Sequence, residues 1–277
     1  MKAMARKKNI LKGVGKYFKV FLHLQKIGIM TRTAYKLNFF ILSFAVFLQV
    51  FFSLFFIKII FGFLDNIAGW GYFEALIVVA TYMLVDGIMW NVFAHFSAIT
   101  RHVRQGTLDG ILVKPIDSQF LVSIWRGDLE DAVRVIASLG VLAYAVKNLG
   151  IGGFELIMNS ALYLFLVVNA IVIVYSINVI VKSVVFWLVE GMAFYHLTDS
   201  LFRMSQYPSD IFFHKIVKGV TLTVIPLAFM ATVPAKILAR GFDFWLILGS
   251  FVVAGVFFIT SRKFWLFALK HYSSASS

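Results

Sequence analysis

Three long stretches without a charged residue constrain the fold of this chain more than any other feature. Residues 37–57 are uncharged over 21 positions, residues 156–181 over 26 and residues 244–261 over 18. A helix needs about 20 apolar residues to cross roughly 30 Å of hydrocarbon, so each stretch can span a bilayer or nearly so. The composition agrees, because 61% of the residues are hydrophobic and only 14% are charged. The sequence therefore predicts an all-α, polytopic membrane protein and not a soluble enzyme.

The hydrophobic pattern predicts six transmembrane helices, which make residues 37–277 one transmembrane domain. The third and fifth of these spans contain charged residues, so they depend on neighbouring helices to shelter polar groups. Pro226 and Pro234 interrupt a further apolar stretch and remove helix hydrogen bonds, so the outer region 201–243 is predicted to form an extracellular re-entrant helical hairpin. The six spans are placed at 37–60, 73–95, 129–147, 155–181, 183–200 and 244–262.

The distribution of basic residues predicts that both termini lie in the cytoplasm of a multi-pass protein of the plasma membrane. Residues 1–36 hold ten Lys or Arg, whereas the predicted loops 61–72 and 148–154 hold none. Because basic residues concentrate on the cytoplasmic side, both termini are placed there. A chain with both termini on one side crosses the membrane an even number of times. Residues 16–29 place basic and apolar side chains on different helix faces, which predicts an interfacial helix within this cytoplasmic basic arm that binds membrane lipids.

Few signatures of catalysis or ligand binding occur in the sequence. It contains no cysteine, its six histidines are scattered without metal-ligand spacing, and Gly13-Val14-Gly15-Lys16 lacks the spacing of a P-loop. We therefore expect no catalytic residue, metal or cofactor in this chain. The net charge of +13 is explained by topology and attraction to lipids, so no nucleic-acid partner is predicted.

The most informative segment lies in the predicted cytoplasmic loop 96–128. Residues 100–105 are expected to continue a helix, which Gly106 can end by adopting the left-handed conformation. Thr107 is expected to cap a second short helix, with Asp109 in its first turn. The two helices would form a knob (residues 100–115) whose exposed face docks on another protein. An ordinary helix hairpin between two spans is the alternative.

This segment resembles the cytoplasmic motif of type-2 ABC transporter permeases, in their prokaryotic branch. The resemblance begins at Arg104-Gln105-Gly106-Thr107-Leu108-Asp109 and continues through Ile111-Leu112-Val113-Lys114-Pro115-Ile116. Similar elements follow in the same order, at Tyr207-Pro208-Ser209-Asp210-Ile211-Phe212, Ile225-Pro226-Leu227-Ala228-Phe229, Val233-Pro234-Ala235 and Tyr272-Ser273-Ser274-Ala275-Ser276. One position departs from the family's pattern, since many relatives have Glu where this chain has Asp109.

The resemblance implies that the knob is a coupling helix that contacts a separate ATPase subunit, with Leu108 as its apolar anchor. It also implies an exporter of two permeases, identical or related, and two ATPases that bind ATP and magnesium. Spans rich in Phe suit a hydrophobic or lipid-like substrate, although they suit lipid contact equally well. The residues expected to contact the ATPase are Arg101, Arg104, Gly106, Thr107, Leu108, Asp109, Lys114 and Pro115.

Two carboxylates lie deep in the predicted spans, and burying such groups in lipid is costly unless they have a role. Asp86 and Glu190 are therefore candidates for the substrate pathway. The alternatives are a structural pair with Asn, Ser or Thr on another helix, or a position near a water-filled vestibule. Residues 126–134 are interpreted as a solvated helix entrance, in which Glu130 pairs with Arg134.

Two other classes of function stay open at this point. A membrane-embedded lipid-modifying enzyme would use Asp86 or Glu190 as a base, and it would need further polar side chains converging at the same depth. A non-transporting membrane scaffold would need no carboxylate within the membrane.

Overall fold

The computed structural model describes residues 2–124, 128–188, 192–211 and 226–272. Apart from one isolated bridge between Ile67 and Trp70, the regular elements in these ranges are helical, so the prediction of an all-α chain is confirmed. The α-helices are α1 (Lys2–Ala34), α2 (Lys36–Phe63), α3 (Tyr72–Phe93), α4 (Ile99–Arg104), α5 (Asp109–Leu112), α6 (Ser118–Ile124), α7 (Ala132–Leu149), α8 (Gly153–Ser183), α9 (Met192–Arg203), α10 (Thr232–Arg240) and α11 (Phe244–Leu269). Short 3-10 helices occur at Ala94–Ala98, Leu129–Asp131, Val184–Phe186, Met204–Gln206, Ser209–Ile211 and Leu227–Phe229.

Four helices in the described part of the chain, α2, α3, α8 and α11, are long and apolar enough to cross a membrane. They coincide with four of the predicted spans. α2 is the least covered by the rest of the chain, and its outer surface is a row of exposed phenylalanines that includes Phe44, Phe51 and Phe55. Such a surface is stable in a bilayer because lipid tails, unlike water, impose no penalty on apolar groups.

The predicted third span corresponds to α7, an 18-residue helix that lies antiparallel to α3. At its start, the backbone N–H of Asp128 donates to the carbonyl of Trp90 over 3.2 Å, and near its end Tyr144 lies 6.0 Å from Phe73 between ring centroids. The close approach needs Gly87 on α3, because a Cβ atom there would lie 2.9 Å from a methyl group of Val135. With a rise of 1.5 Å per residue, α7 is about 27 Å long.

The prediction of a continuous fifth span at 183–200 is wrong. α8 ends at Ser183, and the chain then forms the 3-10 turn Val184–Phe186. Trp187 directly follows this turn and packs against Phe264 and Phe267 of α11, with ring centroids 5.8 and 5.7 Å apart. The following helix, α9, has 12 residues, which are too few to cross a bilayer alone.

The core of the bundle lies where α3, α7, α8 and α10 meet, around Ile77, Leu166 and Ile237. The segment that contains both prolines is part of this core, since residues 226–235 are buried throughout. Pro234 lies in the first turn of α10, where a missing N–H breaks no helical hydrogen bond. Within the predicted outer region, residues 212–225 lie outside the described ranges.

Candidate functional site

The helix–turn–helix predicted for the knob is present. α4 ends next to Gly106, whose φ of 66° is left-handed, and the N–H of Leu108 donates to the carbonyl of His102 over 3.2 Å. The N–H of Gly106 also donates to the carbonyl of Val103 over 3.3 Å, which is the bond common in helices that end at a left-handed glycine. α5 follows with Asp109 in its first turn and ends before Pro115.

Thr107 does not cap α5, which corrects the prediction made from the sequence. The helix has Leu108 at its N-cap position, without a side-chain capping bond. The hydroxyl of Thr107 lies instead 2.8 Å from Nδ1 of His102. Burial and the neighbouring Arg101 lower the pKa of His102, so the neutral ring is favoured in this contact. Thr107 therefore fastens the turn to α4 and does not start α5.

Leu108 is not the exposed anchor that was expected. Its side chain has 0% exposure and packs in a cluster with Phe96, Ile111, Leu121 and Trp265. Burial of a leucine contributes about 2 kcal/mol, so Leu108 holds the knob against the bundle. The prediction that it enters a socket on another protein is wrong.

The outer surface of the knob is formed by other residues. Val113, which follows α5, is 82% exposed, and the basic residues Arg101, Arg104 and Lys114 of the knob are also exposed. An apolar centre with a positive surround suits a groove with an acidic rim on a partner. Among the predicted contact residues, Gly106 and Asp109 are half-buried. We name the exposed set the knob face: Arg101, Arg104, Gln105, Thr107, Gly110, Val113, Lys114 and Pro115.

The turn that follows the knob is fastened to the first and last helices. Asp117 accepts two hydrogen bonds from Arg262 of α11, at 3.1 and 2.5 Å, and a third from the N–H of Phe120, which caps α6 at 3.0 Å. From the other side, Lys16 of α1 donates to the carbonyl of Pro115 over 3.0 Å. A displacement of the knob would therefore also displace α1 and α11.

Asp86 has a charged partner within the bundle, and the alternative of a pair with Asn, Ser or Thr does not describe it. It forms an ion pair with Arg134 of α7. Arg134 also donates to Gln49 of α2 over 2.8 Å and lies 3.3 Å from the carboxylate of Asp131. Buried charges are tolerated when they are paired and hydrogen-bonded in this way. The cluster joins three helices at one depth.

Two adjoining cavities border this cluster. One, of about 320 Å³, is lined by Asp86 and Arg134 together with Asp199 and Arg203. The other, of about 600 Å³, is also lined by Arg134 and Arg203 but has an aromatic wall that includes Phe55 of α2. Together they provide a charged end and an apolar end, which could hold an amphipathic molecule.

Sequence reasoning missed Arg134 and misread its neighbours. The segment was interpreted as a solvated helix entrance, yet Glu130 and Arg134 are only 3% and 8% exposed. The available signal was the density of charges at the start of a predicted span, where polar side chains must shelter one another. Glu190, the second pathway candidate, lies outside the described residues.

A second polar cluster lies at the other end of α3, far from the knob. Arg240 donates to both carboxylate oxygens of Glu74, over 2.8 and 2.9 Å, and to the carbonyl of Gly69 over 2.7 Å. Its guanidinium lies 4.4 Å from the ring centroid of Trp70, whose indole N–H donates to Asp210 over 3.1 Å. These bonds join α10, the loop before α3 and the segment after α9.

Comparison with known families gives one match. Residues 47–276 match the family described as ABC-2 family transporter protein, a range that includes the knob, the Asp86–Arg134 pair and the helices from α3 to α11. No curated protein and no solved structure shows significant similarity to the chain.

Proposed function

Because this chain belongs to the ABC-2 transporter family, we propose that it is the permease subunit of an ATP-driven exporter. Membership makes it the membrane subunit of an ABC transporter and implies association with an ABC ATPase. We infer that it moves a hydrophobic or lipid-like substrate out of the cell across the plasma membrane. The functional complex would contain two permeases, identical or related, and two ATPases. ATP and magnesium would be bound by the ATPases, with no cofactor in this chain.

The proposed topology has six crossings with both termini in the cytoplasm. α2, α3, α7, α8 and α11 supply five, and residues 192–211 supply the remaining one as a broken segment. Two contacts support this. Asp199 lines the cavity beside Asp86, whereas Asp210 binds Trp70 at the opposite end of α3, so the segment covers most of the length of that helix. Residues 226–243 would then re-enter the bundle from outside.

The proposed coupling site is the knob face, and the observation that carries it is the exposure of Val113 on a knob whose basic residues are exposed as well. A charged groove on a partner subunit would bind this surface, with Arg101, Arg104 and Lys114 at its rim. ATP-driven closure of the ATPases would then displace the knob, and Asp117 and Lys16 would pass this displacement to α11 and α1. The membrane-spanning part would thereby alternate between inward-facing and outward-facing states.

The proposed substrate pathway runs past the two cavities beside Asp86 and Arg134. The charged end would receive a polar head group, and the aromatic wall of α2 would contact an apolar body. Glu190 remains a pathway candidate from its sequence position.

One observation bears on the lipid-modifying enzyme, since polar side chains do converge around Asp86. This carboxylate is ion-paired with Arg134, however, so it is already bound to a guanidinium and is not positioned to act on a substrate. Family membership and this pairing favour transport. A non-transporting scaffold would not require a cluster of buried charges next to cavities.

The test is copurification of the ABC ATPase with permease variants. Val113→Asp and Arg104→Glu should remove the ATPase, whereas Val113→Ile should retain it because the apolar contact is kept. Lys270→Glu, an exposed basic residue at the end of α11, changes the charge equally and serves as the control. Wild-type amounts of ATPase with both knob-face variants would contradict docking at this surface.

A further inference from the structure

The part of α1 that precedes the first span packs against the knob assembly along one face. Tyr17 makes an edge-to-face contact with Phe120, with centroids 4.9 Å apart, and Val20 and Leu24 pack on the cluster that holds the knob. Gly28 is buried farther along the same face. The spacing of three, four and four residues places these positions on one side of the helix.

The exposed residues of α1 between positions 18 and 29 include an apolar set and a basic set. With about 100° of rotation per residue, Phe18, Leu22 and Ile29 fall within about 40° of one another. Lys19 and Lys26 lie on the adjoining face. An apolar stripe beside a basic stripe is the pattern of a helix that lies in a membrane interface, with its basic residues toward phosphate groups. We name these two stripes the lipid face.

The same helix makes direct polar contacts with the turn after the knob. Lys16 donates to the carbonyl of Pro115 over 3.0 Å, and the hydroxyl of Tyr17 accepts a hydrogen bond from the N–H of Asp117 over 3.3 Å. These contacts come from the residues immediately before Phe18 and Lys19. A change in the depth or rotation of α1 at the membrane would therefore change the position of this turn.

We propose that the lipid face of α1 binds an anionic lipid surface, and that this binding fixes the knob in the position from which the ATPase drives transport. Net negative lipid is the fitting partner because the exposed charges on this stripe are basic and adjoin the apolar residues that would enter the acyl region. Loss of two lysines should weaken the interaction about 30-fold, at about fivefold for each. The regulatory part of this inference rests on the proposed coupling function, but lipid binding does not.

Lipid binding is tested without the ATPase. In this cysteine-free chain, the Leu22→Cys variant is labelled with an environment-sensitive fluorophore and reconstituted into phosphatidylcholine vesicles. The vesicles contain either brominated phosphatidylglycerol or brominated phosphatidylcholine as the quencher. Quenching should be stronger with the anionic quencher, and Lys19→Gln/Lys26→Gln should abolish this preference. The control variant Lys58→Gln/Lys147→Gln removes the same charge from exposed positions elsewhere and should still be quenched more strongly by the anionic lipid. Equal quenching by both lipids in the parent protein would overturn the proposal.

Regulation is tested with the complete permease–ATPase complex in phosphatidylcholine vesicles with and without phosphatidylglycerol. ATP turnover should be several-fold higher with the anionic lipid, and Lys19→Gln/Lys26→Gln should lose this difference. Tyr17→Phe removes only the hydrogen bond between the hydroxyl and Asp117 and leaves the lipid face intact. It should nevertheless reduce the difference in ATP turnover between the two kinds of vesicle. If ATP turnover does not depend on lipid charge, while the fluorophore at position 22 is still quenched more strongly by the anionic lipid, the regulatory role is overturned. Failure of the knob-face variants to release the ATPase would contradict the coupling function and leave lipid binding standing.

Discussion

Arg262 of α11 forms a bidentate ion pair with Asp117. Asp117 lies two residues after the knob in the sequence and caps α6. The same guanidinium donates to the side-chain oxygen of Gln119 over 3.0 Å, and Trp265 donates to Ser118 over 3.3 Å one turn further along α11. A planar guanidinium fixes both distance and orientation of a carboxylate, which a lysine cannot do. The knob and the last helix are thereby joined as one mechanical unit.

The first prediction concerns this pair. Arg262→Lys and Asp117→Asn should leave the ATPase bound, because neither residue belongs to the knob face, but should lower substrate-stimulated ATP turnover. Both side chains are partly exposed, at 39% and 28%, so the loss of folding stability should be small, about 1 kcal/mol or less. The measurement compares ATPase copurification with turnover in vesicles.

A charge exchange supplies the control for that prediction. Asp117→Arg combined with Arg262→Asp should recover part of the turnover that either single change removes, since the pair is restored in reverse. If the single variants are as active as wild type, the ion pair has no part in coupling.

The second prediction separates the inside of the knob from its outside. Leu108→Ala should lower the free energy of unfolding by about 2–4 kcal/mol, because it leaves a cavity beside Trp265, and Leu108→Met should be tolerated. Val113→Asp should leave stability unchanged because its side chain is exposed. Thermal unfolding in detergent, followed by size-exclusion chromatography, measures both. A Leu108→Ala protein as stable as wild type would show that this packing is not needed.

The third prediction concerns the buried pair on α3 and α7. Asp86→Leu alone should cost about 3–5 kcal/mol, because it leaves the charge of Arg134 buried with less compensation. Asp86→Leu combined with Arg134→Leu should cost less than the sum of the single changes. A double-mutant cycle on thermal stability gives the coupling energy between the two positions. Additive losses would indicate that the two side chains act independently.

The fourth prediction addresses topology. Cysteines introduced at Asn66 and Gly152, both exposed, should react with a membrane-impermeant maleimide added outside the cell. A cysteine at Gln105, or at Ser274 near the C-terminus, should react only after the membrane is permeabilised. External labelling of Ser274 would exclude the arrangement with an even number of crossings and a cytoplasmic N-terminus.

Sequence alone determined the features that depend on local chemistry. The uncharged stretches became α2, α8 and α11, because an apolar segment of sufficient length is helical in lipid whatever surrounds it. The left-handed turn at Gly106 was equally local, since only glycine adopts that conformation without steric cost.

Only the tertiary structure decided which side chains meet. The pattern around Leu108 is the same whether that residue faces a partner or the bundle, and it faces the bundle because Phe96 and Trp265 lie there. Arg134 has carboxylates near it in sequence, yet it pairs with Asp86 because Gly87 lets α7 approach α3. Trp187, just after α8, likewise packs on Phe264 of α11, 77 positions away in the sequence. Such contacts join residues far apart in the chain, and hydrophobicity and periodicity report only on near neighbours.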